Sequence, residues 1–244
     1  MKRPEITSLF KYYPIGKNQL SALAQKKVWY SKPAGFNDPF DTRFHVNGDL
    51  HSYVQETDTK KIKQIFGEDM SDAIVQKKVS LEGELAQFRR GIEDLGILSL
   101  ADSNKNLLMW SHYAEDHKGM CLEFERKDGE LLASFDSTQP IFYIDNHPTL
   151  SPKSLLDKTA TLTNKKRILY AKSKHWEYEQ EWRHIVEDGN MLCPWPAPLK
   201  AVYFGCKVDE SDINLVKNVI ADPKITYFKG HQYSDKFGIY FKQC

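Results

Sequence analysis

The chain has 244 residues, 41% of them apolar and 12% aromatic, enough to build a buried core and far from the composition of a disordered segment. Its 34 Lys and Arg stand against 33 Asp and Glu, a formal net charge of +1, so nothing in the balance steers it toward nucleic acid or an anionic membrane. Residues 1–5 lead into no apolar leader and no run approaches the roughly 18 apolar residues of a membrane span, so a cytoplasmic protein without a membrane segment is expected.

Residues 9–13 (LFKYY) read as a strand closed by Pro14 and Gly16, and residues 18–27 as one short helix with Leu20, Leu23 and Ala24 on one face. A second strand at 28–30 runs into residues 31–41 (SKPAGFNDPFD), which two prolines and a glycine make a shaped loop. Residues 49–96 are rich in Lys, Glu, Asp and Gln. Ile62, Ile65 and Phe66 share one helical face, and Leu81, Leu85 and Phe88 another. Two or three amphipathic helices are expected there, interrupted near Gly67 and Gly83, as a helical insertion.

Strands follow at 97–100, 120–124 and 140–144. Met120, Leu122 and Phe124 fall on one face of the second, Cys121 and Glu123 on the other. A helix is expected over 152–172, then strands at 182–186 and 199–204 with the Pro-rich 194–198 between them. Asp209 begins a helix whose buried stripe is Ile213, Val216 and Ile220; strands at 225–228 and 237–241 close the chain. Helices segregated from many short strands predict an α+β fold, a compact single domain with a mixed or antiparallel sheet.

Three segments carry chemistry. Residues 36–41 (FNDPFD) can present Asn37 and Asp38 to a ligand, or fold them back as an Asx-turn anchored by buried Phe36 and Phe40. Residues 109–119 (MWSHYAEDHKG) hold eight side chains able to hydrogen-bond. His112 suits proton transfer near neutral pH, and Trp110 and Tyr113 offer faces for a planar ring. In residues 174–184 (KHWEYEQEWRH), strand alternation puts Glu179, Glu181 and Arg183 on one face, either a site for a cationic or hydroxyl-rich group or an ionic ladder. His112 and His117 lack HExxH spacing. The cysteines, Cys121, Cys193, Cys206 and Cys244, include no CxxC pair, so no metal centre is expected and free thiols are. Phosphate-cradling, dinucleotide and nucleophile-elbow motifs are absent from the sequence.

These segments resemble a bacterial family known as domain of unknown function 2971. The resemblance rests on Tyr12 in the first strand, residues 36–40, residues 109–113 with 117–119, residues 176–183, and the closing 202–206 (VYFGC), and it runs over roughly residues 8–241. The family brings no settled activity, and some members look like cargo of anti-phage defence regions. A more distant resemblance is to ADP-ribosyltransferases, compact α+β folds with a catalytic glutamate on a late strand in a Glu-x-Glu pattern, as in Glu179-Gln180-Glu181. That resemblance implies NAD as a ligand, with Tyr113 on the nicotinamide, His112 on the ribose and Tyr12 on the first strand. Glu181 or Glu179 would then act at the ribose 2′-hydroxyl, and Asn37, Asp38, Trp110 and Arg183 would line the site; no Ser-Thr-Ser strand accompanies them.

Two other readings stand beside an NAD-dependent transferase with an unknown acceptor. One is a metal-dependent nuclease or phosphoesterase using His112, Asp38, Glu179 and Glu181 around a divalent cation. The other is a non-catalytic module that senses a small-molecule or nucleotide ligand or binds a protein.

Overall fold

The computed structural model describes residues 3–47, 71–152, 154 and 157–244. Packing divides the chain into two compact units, one of Met1–Lys32, Leu95–Ile141 and Lys174–Cys244, the other of Pro33–Asp94 and Phe142–Ser173.

In chain order the elements are β1 (Ser8–Tyr13), α1 (Lys17–Ala24), β2 (Lys27–Tyr30), β3 (His45–Val46), α2 (Ser71–Glu93), β4 (Gly96–Ala101) and α3 (Leu107–Tyr113). After these come β5 (Met120–Glu125), β6 (Thr138–Pro140), β7 (Phe142–Ile144), β8 (Thr149–Leu150), α4 (Lys158–Leu169) and β9 (Ala171–Ser173). The last are β10 (Glu181–Val186), β11 (Met191–Pro194), β12 (Leu199–Phe204), α5 (Glu210–Ile220), β13 (Thr226–Gln232) and β14 (Ile239–Gln243).

The first unit is built on an eight-stranded sheet of order β14-β13-β12-β5-β1-β4-β10-β6. Every neighbouring pair is antiparallel except β12 and β13, so the sheet is mixed and the fold is α+β. A parallel pair needs a crossover, and α5 supplies it. Its Ile213, Val216 and Ile220 are buried at i, i+3 and i+7, and Glu210 and Asp212 lie in the first turn, where the helix dipole favours negative charge. They meet Met120, Leu122 and Phe124 of β5, Leu9 of β1 and Val202 and Phe204 of β12 in the main core. The alternate residues Tyr12 and Cys121 enter a second cluster with Met109, Trp110 and Ala114. Both faces of the central strands are therefore covered, which is why β5 is buried almost throughout. A smaller ribbon pairs β2 with β11, a strand the sequence pattern did not indicate.

In the second unit β3 pairs with β8 and β7 with β9, both parallel. Phe88 and Ile92 of α2 are buried, and Phe88 meets Phe44 edge-on at 5.4 Å. Asp41 and Lys172 form a buried ion pair at 4.0 Å.

Four expectations need correction. Gly83 does not interrupt a helix: α2 runs through it, with nothing within 4 Å of where its Cβ would stand. The expected break at Gly67, and the face of Ile62, Ile65 and Phe66, lie outside the described residues. The strand expected at 140–144 is two strands. After Ile141 N–H bonds Glu181 O the chain leaves the sheet, because Phe142 N–H bonds Tyr170 O instead. The helix expected over 152–172 stops at Leu169 because Ala171, Lys172 and Ser173 pair with β7. Its start is fixed by Asp157, whose side chain accepts from the N–H groups of Thr159 and Ala160. Finally, Phe40 does not anchor its loop, being 67% exposed.

Candidate functional site

Helix α3 is only seven residues long, too short to persist without tertiary help. Asn106 gives that help twice. Its Oδ1 accepts from Leu108 N–H at 2.9 Å and Met109 N–H at 3.4 Å, and its Nδ2 donates to the Tyr178 carbonyl. One side chain therefore starts α3 and ties it to the 3-10 helix Lys174–Glu179. Trp110 is fully buried, donates through Nε1 to Asn104 O at 2.7 Å, and meets the Tyr12 ring edge-on at 5.2 Å. The Tyr12 hydroxyl donates to Ser103 O at 2.9 Å, and burial pushes its pKa up. Trp110 and Tyr12 thus lie in the packed layer beneath α3.

The exposed end of α3 reaches the third sequence segment. His112 Nδ1 and the Tyr178 hydroxyl share a hydrogen bond at 3.0 Å. Tyr113 donates its hydroxyl to Glu179 Oε1 at 2.5 Å, and Glu179 is only 4% exposed. The alternation expected from the sequence holds from Glu181 onward. Gln180 has a left-handed backbone (φ 46°), so Glu179 closes the 3-10 helix and Glu181 opens β10. Arg183 is fully buried and grips Glu181 with two bonds, Nε to Oε1 at 2.8 Å and Nη2 to Oε2 at 3.3 Å. His112, Tyr113, Tyr178 and Glu179 are thus brought together, with the Glu181–Arg183 pair on the adjoining strand. Asn37 and Asp38 lie in the second unit. Asp38 Oδ1 accepts from Phe40 N–H at 2.9 Å, an Asx-turn.

Two arrangements were not foreseen from sequence, although the second lies within residues 109–119. Glu123, an acid among the apolar residues of β5, is buried and accepts from Ser8 Oγ at 2.7 Å, Tyr203 Oη at 2.7 Å and Lys200 Nζ at 3.0 Å. Burial pushes its pKa up, but these three bonds outweigh it and hold the carboxyl below its ordinary value. A lone Glu between Leu122 and Phe124 was the available signal.

The second group follows α3. Glu115, Asp116 and His117 take three successive left-handed conformations (φ 50°, 53° and 70°), a strained run for residues with side chains. Backbone bonds hold it: His117 N–H to Trp110 O at 3.1 Å, Gly119 N–H to Ala114 O at 2.8 Å, and Lys207 N–H to His117 O at 3.0 Å. His117 and Cys206 line a cleft of about 520 Å³ with Leu107 and the β13–β14 hairpin. His117 Nδ1 is buried with no hydrogen-bond partner. Burial, and the charge of Lys207 after it, lower the His117 pKa against the opposing pull of Asp116. Among the described residues no three His, Cys, Asp or Glu side chains group as metal ligands would, and no helix is long and apolar enough to cross a membrane.

Residues 109–184 match the model of a family described as "Protein of unknown function (DUF2971)". The matched stretch begins in α3 and ends in β10, so it contains His112, Tyr113, Tyr178, Glu179, Glu181 and Arg183. No curated protein and no solved structure matches the chain.

Proposed function

We propose that the protein is an ADP-ribosyl-transfer enzyme that takes NAD as donor substrate, with Glu179 as the carboxylate acting on the ribose. One observation carries the reading: the buried Glu179 carboxylate is bonded by the Tyr113 hydroxyl at 2.5 Å, beside the exposed His112 on the same helix. Breaking the bond between nicotinamide and ribose builds positive charge on the sugar. A carboxylate already fixed in place stabilises that charge without reorganising. The Glu179 carboxylate is then the acceptor for the ribose 2′-hydroxyl, while Tyr113 and His112 contact the nicotinamide and ribose. Glu181 offered the same chemistry in sequence. Both its oxygens engage Arg183, so in this reading it is a positioning residue for β10.

Release of nicotinamide from NAD by the purified protein, read by chromatography, tests this. Glu179→Gln should abolish release. Tyr113→Phe removes one hydrogen bond to a charged group, about 1.5–3 kcal/mol, and should slow release roughly 10- to 100-fold. No release and no calorimetric binding at millimolar NAD would overturn the reading, as would full activity in Glu179→Gln.

A further inference from the structure

We propose that β14, an outer strand of the eight-stranded sheet, pairs antiparallel with β14 of a second copy of this chain about a two-fold axis at Phe241. The inference does not depend on the NAD reading and uses none of its residues.

The two edges of the sheet differ. Strand β6 is three residues long and ends in Pro140, which brings no N–H to a further strand. Strand β14 is five residues long, IYFKQ, without proline. Its register with β13 fixes which of its backbone groups are free. Cys244 N–H bonds Tyr227 O at 3.1 Å and Tyr233 N–H bonds Gly238 O at 3.4 Å. Between these ends Phe228 stands opposite Gln243 and Gln232 opposite Ile239. Bonded and non-bonded pairs alternate along an antiparallel ladder. Tyr240 and Lys242 therefore direct their N–H and C=O groups to β13, and Ile239, Phe241 and Gln243 direct theirs outward. Among the described residues no strand pairs with that outer side. Lys242 and Gln243 are exposed there, and Tyr240 and Phe241 are half-buried.

The strand is its own complement. With the axis at Phe241, each of its residues faces a residue of the second β14. Phe241 bonds Phe241 of the second copy in both directions, and Ile239 and Gln243 bond each other likewise, so every outward group finds a partner. On one face of the sheet the two Phe241 rings meet. Each already packs against Tyr203 at 4.8 Å and Trp110 at 6.0 Å, so the apolar layer on this face continues across the axis. On the other face Tyr240 stands opposite Lys242 of the second copy. Lys242 is the only charged residue of the strand, and its Nζ already lies 5.7 Å from the centre of its own Tyr240 ring. The cation thus keeps an aromatic partner across the axis.

Other registers fit less well. A shift of one residue sets outward groups against residues whose groups point inward. A shift of two residues one way sets Lys242 against Lys242, and the other way leaves Gln243 without a partner in the second β14. A formal net charge of +1 leaves little repulsion between copies.

Sedimentation velocity of the full chain from about 5 to 200 μM reads the association, because a contact of two strands is a small interface and should give a micromolar dimer. Gln243→Pro removes an outward N–H from an exposed residue and spares the bonds to β13. It should weaken the dimer at least about 10-fold while the circular dichroism spectrum stays unchanged. The register is read by disulfide formation in a Cys244→Ser background, where proteins carrying Tyr240→Cys and Lys242→Cys are oxidised separately and mixed. Opposite residues of a non-bonded pair have Cα atoms about 4.5 Å apart, within disulfide reach. The mixture should form the 240–242 crosslink, mapped by peptide mass spectrometry, at least about 10-fold faster than either protein crosslinks to itself. A monomer throughout the concentration range overturns the proposal, as does a dimer that Gln243→Pro leaves intact. Absence of the 240–242 crosslink, or equal crosslinking of either protein to itself, overturns the axis at Phe241.

Discussion

Gly205 is the place where the smallest change should have the largest structural effect. Replacing it by Ala puts a methyl group 2.0 Å from the His117 carbonyl oxygen and 2.5 Å from the carbonyl carbon. Both obstacles are backbone, so no rotamer change relieves them. Real Cβ atoms come no closer than about 3.0 Å, so the β12–α5 turn and the His117 turn must part by about 1 Å. That displacement acts on Gly205 N–H to Gly119 O at 2.9 Å and Lys207 N–H to His117 O at 3.0 Å. Leaving a buried backbone group unsatisfied costs about 1–3 kcal/mol, so loss of both bonds should destabilise by roughly 3 kcal/mol. Urea denaturation followed by tryptophan fluorescence reads this, since Trp110 and Trp182 are both fully buried. For a slope of about 2–3 kcal/mol per molar urea, the midpoint should fall by roughly 1 M with the slope unchanged. Gly83→Ala is the matched control of opposite sign. Its Cβ would meet nothing within 4 Å, and Ala in a helix interior gains about 0.5–1 kcal/mol over Gly. A Gly205→Ala midpoint within about 0.2 M of the parent would refute the reasoning.

His184 should make stability fall on the acid side. Burial pushes its pKa down to about 4 from 6.5, so the native state resists protonation; the stabilisation is complete above pH 6.5 and is lost as pH falls toward 4. The difference amounts to about 2–3 kcal/mol between pH 7.5 and 4.5, and His184→Gln should remove that part of the decline in urea midpoints, whereas unchanged slopes would count against it. Asn106→Ala should cost about 1–2 kcal/mol by uncapping α3, measured as a shift in thermal midpoint; a neutral result would mean the cap does not hold the helix.

Much of the first unit was legible because period-2 and period-3.6 patterns act locally. MCLEFE alternates as β5 does, and Ile213, Val216 and Ile220 repeat as the buried stripe of α5. What could not be read depends on partners distant in sequence. Strand β7 leaves the line of β6 because Tyr170 offers a carbonyl to Phe142, and nothing in residues 140–144 encodes that. The site was half legible. Residues 109–119 and 174–184 were singled out for their density of polar side chains, and Tyr113–Glu179 and His112–Tyr178 do meet. The expected single face of Glu179, Glu181 and Arg183 failed at Gln180, whose left-handed backbone no side-chain pattern announces. Asn37 and Asp38 were legible as a turn, and Asp38 forms one.

The cleft escaped notice for a related reason. HKG and YFGC look unrelated 87 residues apart, and only the two glycines, each with no room for a Cβ, hint that backbones touch there. The consequence for function lies in α3. The helix needs Asn106 and Trp110 to exist, ends by delivering His112 and Tyr113 to the 3-10 helix, and then reverses through residues 115–117 to deliver His117 to the cleft. One short support therefore positions both groups of side chains. The strain of three left-handed residues is tolerable because four backbone bonds, from His117 N–H, Gly119 N–H, Gly205 N–H and Lys207 N–H, fix the reversal at both ends. Loss of Asn106 should thus reach Tyr113 and His117 together. Loss of Gly205 should reach His117 first and leave the Tyr113–Glu179 bond in place.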